Sequence, residues 1–249
     1  MLYKYSEFLR QRDAASPFAQ GAFASLVTNI TKPDFPCYFA KNVVTKDSLY
    51  VAFAEGRVER EALFAQVAEA FMLYAEIEKQ PDPYRVLVLA VDYPSDSWAS
   101  DDALLWDLLA YLRTQDPEPW PAEIPQDPHV LGWSFCFMGM PWFFNLNSPR
   151  NSHRASRNVT NTLSFVIQRT DGFDDLAPLE SHDKLRWDLR ARVLPYDGQA
   201  SSPALACGPD NPDMYEWIQF HTPNLNTEKP ASKCPYHAAM QAMAKEVVG

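Results

Sequence analysis

Apolar residues recur at Phe64, Val67, Ala68, Phe71, Tyr74 and Ile77 between Arg57 and Gln80, with Glu and Arg on the opposite face. That spacing predicts an amphipathic helix. A second helix is expected to start at Ser100 as its cap. Asp101 and Asp102 then sit in the first turn, where they complement the helix dipole, and Leu104, Leu105, Leu108, Leu109 and Leu112 form the buried stripe. A third helix is expected from about Ala177 to Arg192, with short helical pieces around Tyr215–Phe220 and Ala238–Val247.

Between these lie runs rich in β-branched and aromatic residues: Pro36–Ala40, Ser48–Ala54, Tyr84–Val91, Val130–Phe137, Trp142–Leu146 and Thr162–Gln168. Each is strand-length and bounded by Pro, Gly, Asn or Asp. Only Met138–Pro141 joins two of them, and so short a link makes them antiparallel neighbours. The order implies an α+β fold, a largely antiparallel sheet with helices packed against it. No repeat or long linker divides residues 1–249, so a single domain is expected, with the Pro-rich stretch Asp116–Pro128 as a surface loop.

Composition narrows the function classes. The 249 residues are 47% hydrophobic, enough for a sizeable core, and the 21 prolines favour many short elements over a helical bundle. With 32 acids against 22 bases the net charge is −10. Such a chain is repelled by nucleic acid and by anionic membranes, whereas a small cation is attracted. The N-terminal residues mix charges without an apolar run, so neither a signal peptide nor a membrane span is expected and a cytoplasmic setting follows. Cys37, Cys136, Cys207 and Cys234 form no CxxC pair, which makes reduced thiols the expectation.

Dinucleotide, P-loop, nucleophile-elbow and HExxH signatures are absent, and His129, His153, His182, His221 and His237 are scattered. The densest chemistry lies in Asn145-Leu-Asn-Ser-Pro-Arg150-Asn-Ser-His-Arg154-Ala-Ser-Arg157-Asn158, directly after the aromatic run Phe135-Cys-Phe-Met-Gly-Met-Pro-Trp-Phe-Phe144. An apolar wall leading into arginines and an imidazole suits a flat, amphipathic, anionic ligand. Haem is one: apolar walls for the macrocycle, Arg for the propionates, imidazole or thiolate for the iron. The alternative is a surface loop whose arginines pair with some of the acids.

Several blocks together resemble the YqcI/YcgG family. They are Phe35-Pro-Cys37, Trp133-Ser-Phe135, Asn147-Ser-Pro followed by His153-Arg-Ala-Ser-Arg-Asn158, and Gln168 followed by Asp171-Gly-Phe-Asp174. The likeness runs from about Pro36 to Arg190, with a weaker echo in Cys234-Pro-Tyr-His237. It implies a haem-dependent N-oxygenase, an oxidoreductase of monooxygenase type. Such an enzyme hydroxylates an amine or guanidine nitrogen of a small cationic substrate such as a basic amino acid, with an electron donor or peroxide. Two other readings stay open: a non-catalytic haem-binding or sensing protein, and a non-haem metalloenzyme assembled from scattered His and acids.

On this reading haem b is bound non-covalently, since no CxxCH attachment motif exists, and His153 ligates its iron. Cys234 and His237 are the alternative ligands. Arg150, Arg154 and Arg157 anchor the propionates, and Trp142 and Phe144 wall the macrocycle. Asp171 and Asp174 hold the cationic end of the substrate, unless Asp171-Gly172 is simply a turn. His129 and His182 read as structural, and His221 as a distal-pocket candidate.

Overall fold

A computed structural model describes residues 1–56, 59–173, 181–202, 215–227 and 233–246. The chain opens with strand β1 (Leu2–Lys4) and helices α1 (Tyr5–Gln11), α2 (Pro17–Ile30) and α3 (Tyr38–Thr45). It continues through β2 (Leu49–Ala54), α4 (Arg60–Glu78), β3 (Val86–Val91), α5 (Trp98–Gln115), β4 (Phe135–Phe137), β5 (Met140–Asn147) and β6 (Leu163–Arg169). Helices α6 (His182–Asp197) and α7 (Tyr236–Glu246) follow. The fold is α+β, with six strands in the order β1-β2-β3-β6-β5-β4. Every pairing is antiparallel except β2 with β3, whose parallel register requires the crossover that α4 supplies.

Helices cover both faces of the sheet, and the strand sequences show why. Val86–Val91 is apolar at all six positions and buried throughout, so neither face of β3 can meet water. On one face Leu87, Leu89, Phe144 and Phe165 pack against α4, α5 and α7. On the other, Leu49, Val51 and Val88 pack against Phe8 of α1, Phe23 and Leu26 of α2 and Val43 of α3. Phe71 of α4 anchors the first core, its ring 4.9 Å from those of Phe137 and Trp142 and 5.3 Å from Phe144. Among the described residues no helix is long and apolar enough to cross a membrane.

The link between β4 and β5 is a two-residue turn. Phe137 pairs with Met140, and Met138 and Gly139 both have positive φ (52° and 69°), the backbone of a type I′ hairpin.

The structure departs from the sequence pattern at several points. Pro36–Ala40 is not a strand; α3 begins at Tyr38, and its one buried side chain is Val43. Of Val130–Phe137 only the last three residues are strand, because Val130 and Leu131 are exposed and Gly132 turns the chain at φ 86°. Helix α5 is capped three residues earlier than expected. Ser97 accepts from the N–H of Ser100, and Ser100 Oγ accepts from the N–H of Ser97, so Ser100 is the inner partner of a reciprocal cap. Helix α2 lies outside the expected elements, although Ser16 caps it and Pro17 occupies its first turn.

Candidate functional site

Strands β3 and β5 run in the same direction, since each is antiparallel to β6. Helix α5 starts just beyond the end of β3, so its first turn meets the chain leaving β5. There Asp101, 1% exposed, accepts hydrogen bonds from Ser95 Oγ (2.8 Å) and Ser148 Oγ (2.6 Å). Ser148 N donates to Arg157 O at 3.0 Å and Asn151 Nδ2 to the same carbonyl at 2.9 Å, closing residues 148–157 into a stitched loop.

The loop does not gather its cations around one ligand. Arg154 is 1% exposed and donates through Nε to Pro223 O (2.9 Å) and through Nη2 to Asn226 Oδ1 (2.7 Å). Arg150 is exposed and its guanidinium donates to Ser95 O. Arg157 is part-buried; burial and the charge of Arg154 push its pKa down to about 10. Its neighbours include Cys37, the N-cap of α3, so the Phe35-Pro-Cys37 and His153…Asn158 blocks converge in space. His153 is exposed; its backbone N–H donates to Asn224 Oδ1, and its carbonyl accepts from Gln199.

Trp142 and Phe144 are fully buried beneath α4, with Phe71 and Tyr74 filling the space a macrocycle would need. Alternation along β5 turns these rings to the core face, while residues 148–157 lie beyond the end of the strand. The seat expected around His153 therefore does not fit haem. Asp171 is exposed and paired in two hydrogen bonds with Arg169, and Asp174 lies outside the described residues.

The other histidines mark a different region, along α5 and α7. His221 is 4% exposed, and its ring stacks on Trp98 at 4.3 Å and 9°. Nδ1 lies 3.0 Å from Asp102 Oδ1, while Nε2 is buried and has no hydrogen-bond partner among the described residues. The adjoining cavity, bounded by Trp106, Trp217 and Pro235, has a volume of about 10 Å³ and admits no ligand larger than a water.

Beyond Trp217 a much larger cavity, about 560 Å³, opens between the end of α5, the loop Asp116–Pro128 and the start of α7. Arg113, Trp120, Asp127, Tyr236, His237 and Met240 line it. The loop is held by Asp116, which pairs with Arg113 and accepts from the N–H of Met138 (2.9 Å), and by the indole of Trp120 donating to Ile124 O (2.9 Å). Asp127 Oδ1 accepts from the N–H of His129 at 2.9 Å, and that bond holds the carboxyl below its usual pKa. His129 Nδ1 lies 3.1 Å from the same oxygen, while its Nε2 accepts from the N–H of Cys234 at 3.0 Å. Asp127, His129 and His237 thus offer three ligand atoms within 4.8 Å of one another. Burial pushes the Cys234 thiol up to about 12, so it is protonated in the ligand-free protein. The signal in the sequence is the Asp127-Pro-His129 spacing, inside what reads as a plain loop.

These observations define an α+β protein with an aromatic cavity and one wall of imidazole and carboxylate. The model of the YqcI/YcgG family matches residues 23–237, and the chain belongs to that family. It is 30% identical to DcsA of Streptomyces lavendulae over 232 residues, covering 90% of this chain and 86% of that protein. DcsA is provisionally designated an N(omega)-hydroxy-L-arginine synthase. YcgG and YqcI of Bacillus subtilis (strain 168), both uncharacterized proteins, are 32% and 28% identical, each over 211 residues spanning 81% of this chain and 80% of theirs. No solved structure matches.

Proposed function

We propose that this protein N-hydroxylates a guanidine nitrogen of arginine or a closely similar cation. The likeness to DcsA over most of both chains supports the reaction, and the 560 Å³ cavity is the observation that carries the site. Its volume lies within the range of small-molecule pockets. Arg113 already places its guanidinium 5.7 Å from the centroid of the Trp120 ring, so this wall accepts such a group, and Gln126 adds an amide for directed hydrogen bonds. The positive charge of Arg113 is matched by Asp116, so the cavity does not repel a cation. The protein's net charge of −10 adds long-range attraction.

Hydroxylation needs the reacting nitrogen as a neutral lone pair, so an arginine-like substrate must be desolvated or lose a proton as it binds. The apolar wall of Trp120, Tyr236 and Met240 supplies the desolvation, with the imidazole and carboxylate wall alongside. Haem b is the oxygen-activating group that the family resemblance implies. Because its expected seat around His153 does not fit, no step here is routed through it.

The test is incubation of purified protein with arginine, lysine and simple alkylguanidines. Each is combined with a reductant or peroxide, with and without added hemin or ferrous iron. Mass spectrometry should find one added oxygen on a guanidine nitrogen, and Trp120→Ala should raise KM more than it lowers kcat. Absence of oxygen transfer under every condition, together with no calorimetric binding of arginine, would overturn the reading.

A further inference from the structure

We infer that Asp127, His129 and His237 form a binding site for a divalent transition-metal ion, open to the 560 Å³ cavity. The proposal deepens the reading above and rests on the same cavity. Its test reads metal binding without turnover, so failure of the metal site and failure of the N-hydroxylation reading are separable.

Two imidazoles and one carboxylate are the donor set that suits iron(II) and its neighbours, and three protein ligands leave positions free for other molecules. The geometry is close to assembled. Ligands about 2.1 Å from an ion at right angles to one another lie about 3 Å apart. Asp127 Oδ1 and His129 Nδ1 already stand at 3.1 Å. The ligand atom of His237 lies within 4.8 Å of both, and its exposed side chain on the first turn of α7 has freedom to close the remainder. Asp127 and His237 both line the cavity, so the open positions face it.

The ligands come from two separate elements, which gives the site a structural consequence. Without metal, His129 Nε2 accepts from the Cys234 N–H, so the ring proton is on Nδ1 and points at Asp127. An ion bound at Nδ1 moves that proton to Nε2, which then faces the Cys234 N–H donor to donor. Metal binding therefore exchanges one tie between the loop and the start of α7 for another, through His237. It must also release the amide of Cys234.

Cobalt(II), whose visible bands report ligand geometry, is the probe. Titration of the purified protein should give visible bands saturating at one equivalent, displaced by zinc(II). Asp127→Asn and His237→Ala, both at exposed side chains and expected to fold, should each weaken binding on the order of 100-fold or more. Hydrogen exchange at the Cys234 amide should accelerate when cobalt is bound. Absence of saturable bands, or binding undiminished in His237→Ala, overturns the proposal. So does an unchanged Cys234 exchange rate in the metal-loaded protein, because His129 would then not be a ligand. Hemin uptake that depends on His237, with no cobalt or ferrous iron bound, would also overturn it and return the cavity to haem.

Discussion

Arg154 lies inside the block that most specifically marks the family, and the structure gives it a role testable without any ligand. Its side chain is 1% exposed, with Nε on Pro223 O at 2.9 Å and Nη2 on Asn226 Oδ1 at 2.7 Å. Both hydrogen bonds are charge-assisted, worth about 1.5–3 kcal/mol each, and removing the guanidinium leaves the Pro223 carbonyl buried without that donor. Allowing for partial relaxation and lost packing of the stem, Arg154→Ala should cost about 3–5 kcal/mol. For a chain of this size each kcal/mol lowers Tm by about 2–4 °C, so the loss should be about 6–20 °C. Arg150→Ala is the control: its guanidinium also bonds a carbonyl, Ser95 O, but at an exposed position, and should cost no more than about 1 kcal/mol. Thermal unfolding followed by circular dichroism in ligand-free protein compares the two. A propionate anchor would matter only once ligand is bound. If ligand-free Arg154→Ala melts with the wild type, the packing described for residues 148–157 is wrong.

Two further outcomes follow from buried or strained positions. Glu216 accepts from Ser134 Oγ at 2.8 Å, and burial raises its pKa to about 8 from an ordinary 4.5. The folded state therefore holds a proton that the unfolded chain releases. This contribution is fully present below pH 4.5 and is lost as pH rises through 8, at up to about 1.4 kcal/mol per pH unit in between. Glu216→Gln should flatten the dependence and gain on the wild type by about pH 9 in urea titrations; parallel profiles would show that Glu216 ionises normally. Gly139 holds φ 69° in the β4–β5 turn with no atom within 4 Å of where a Cβ would stand, so Gly139→Ala should cost about 1 kcal/mol of backbone strain alone. A loss above about 3 kcal/mol in chemical denaturation would mean that the turn tolerates no Cβ for a further, steric reason.

Much of the scaffold was legible because its signals are local. The stripe Phe64, Val67, Ala68, Phe71 and Tyr74 marks α4 to within a few residues of Arg60–Glu78, and the unbroken apolar run of β3 marks a strand covered on both faces. The short link at Met138–Pro141 foretells the hairpin, and the alternation of runs foretells a largely antiparallel sheet. The departures arise where one apolar residue type serves two structures. The residues at 36–40 have the composition of a strand yet open a helix, because what α3 buries is Val43, beyond the apolar run itself.

The site divides along the same line. The sequence alone located the density of Arg, Asn and His between Asn145 and Asn158 and the family it belongs to, since both are properties of adjacent residues. Which of those side chains are free for a ligand was decided by distant partners. Arg154 is taken by Pro223 and Asn226, Asp171 by Arg169, and the rings of Trp142 and Phe144 by α4. Conversely, Asp127 and His129 acquire a chemical meaning only when α7 packs on α5 and brings His237 to them. Composition sets what a segment is able to do. Burial and hydrogen bonding, which are energies of the folded whole, determine which of those capacities remain available.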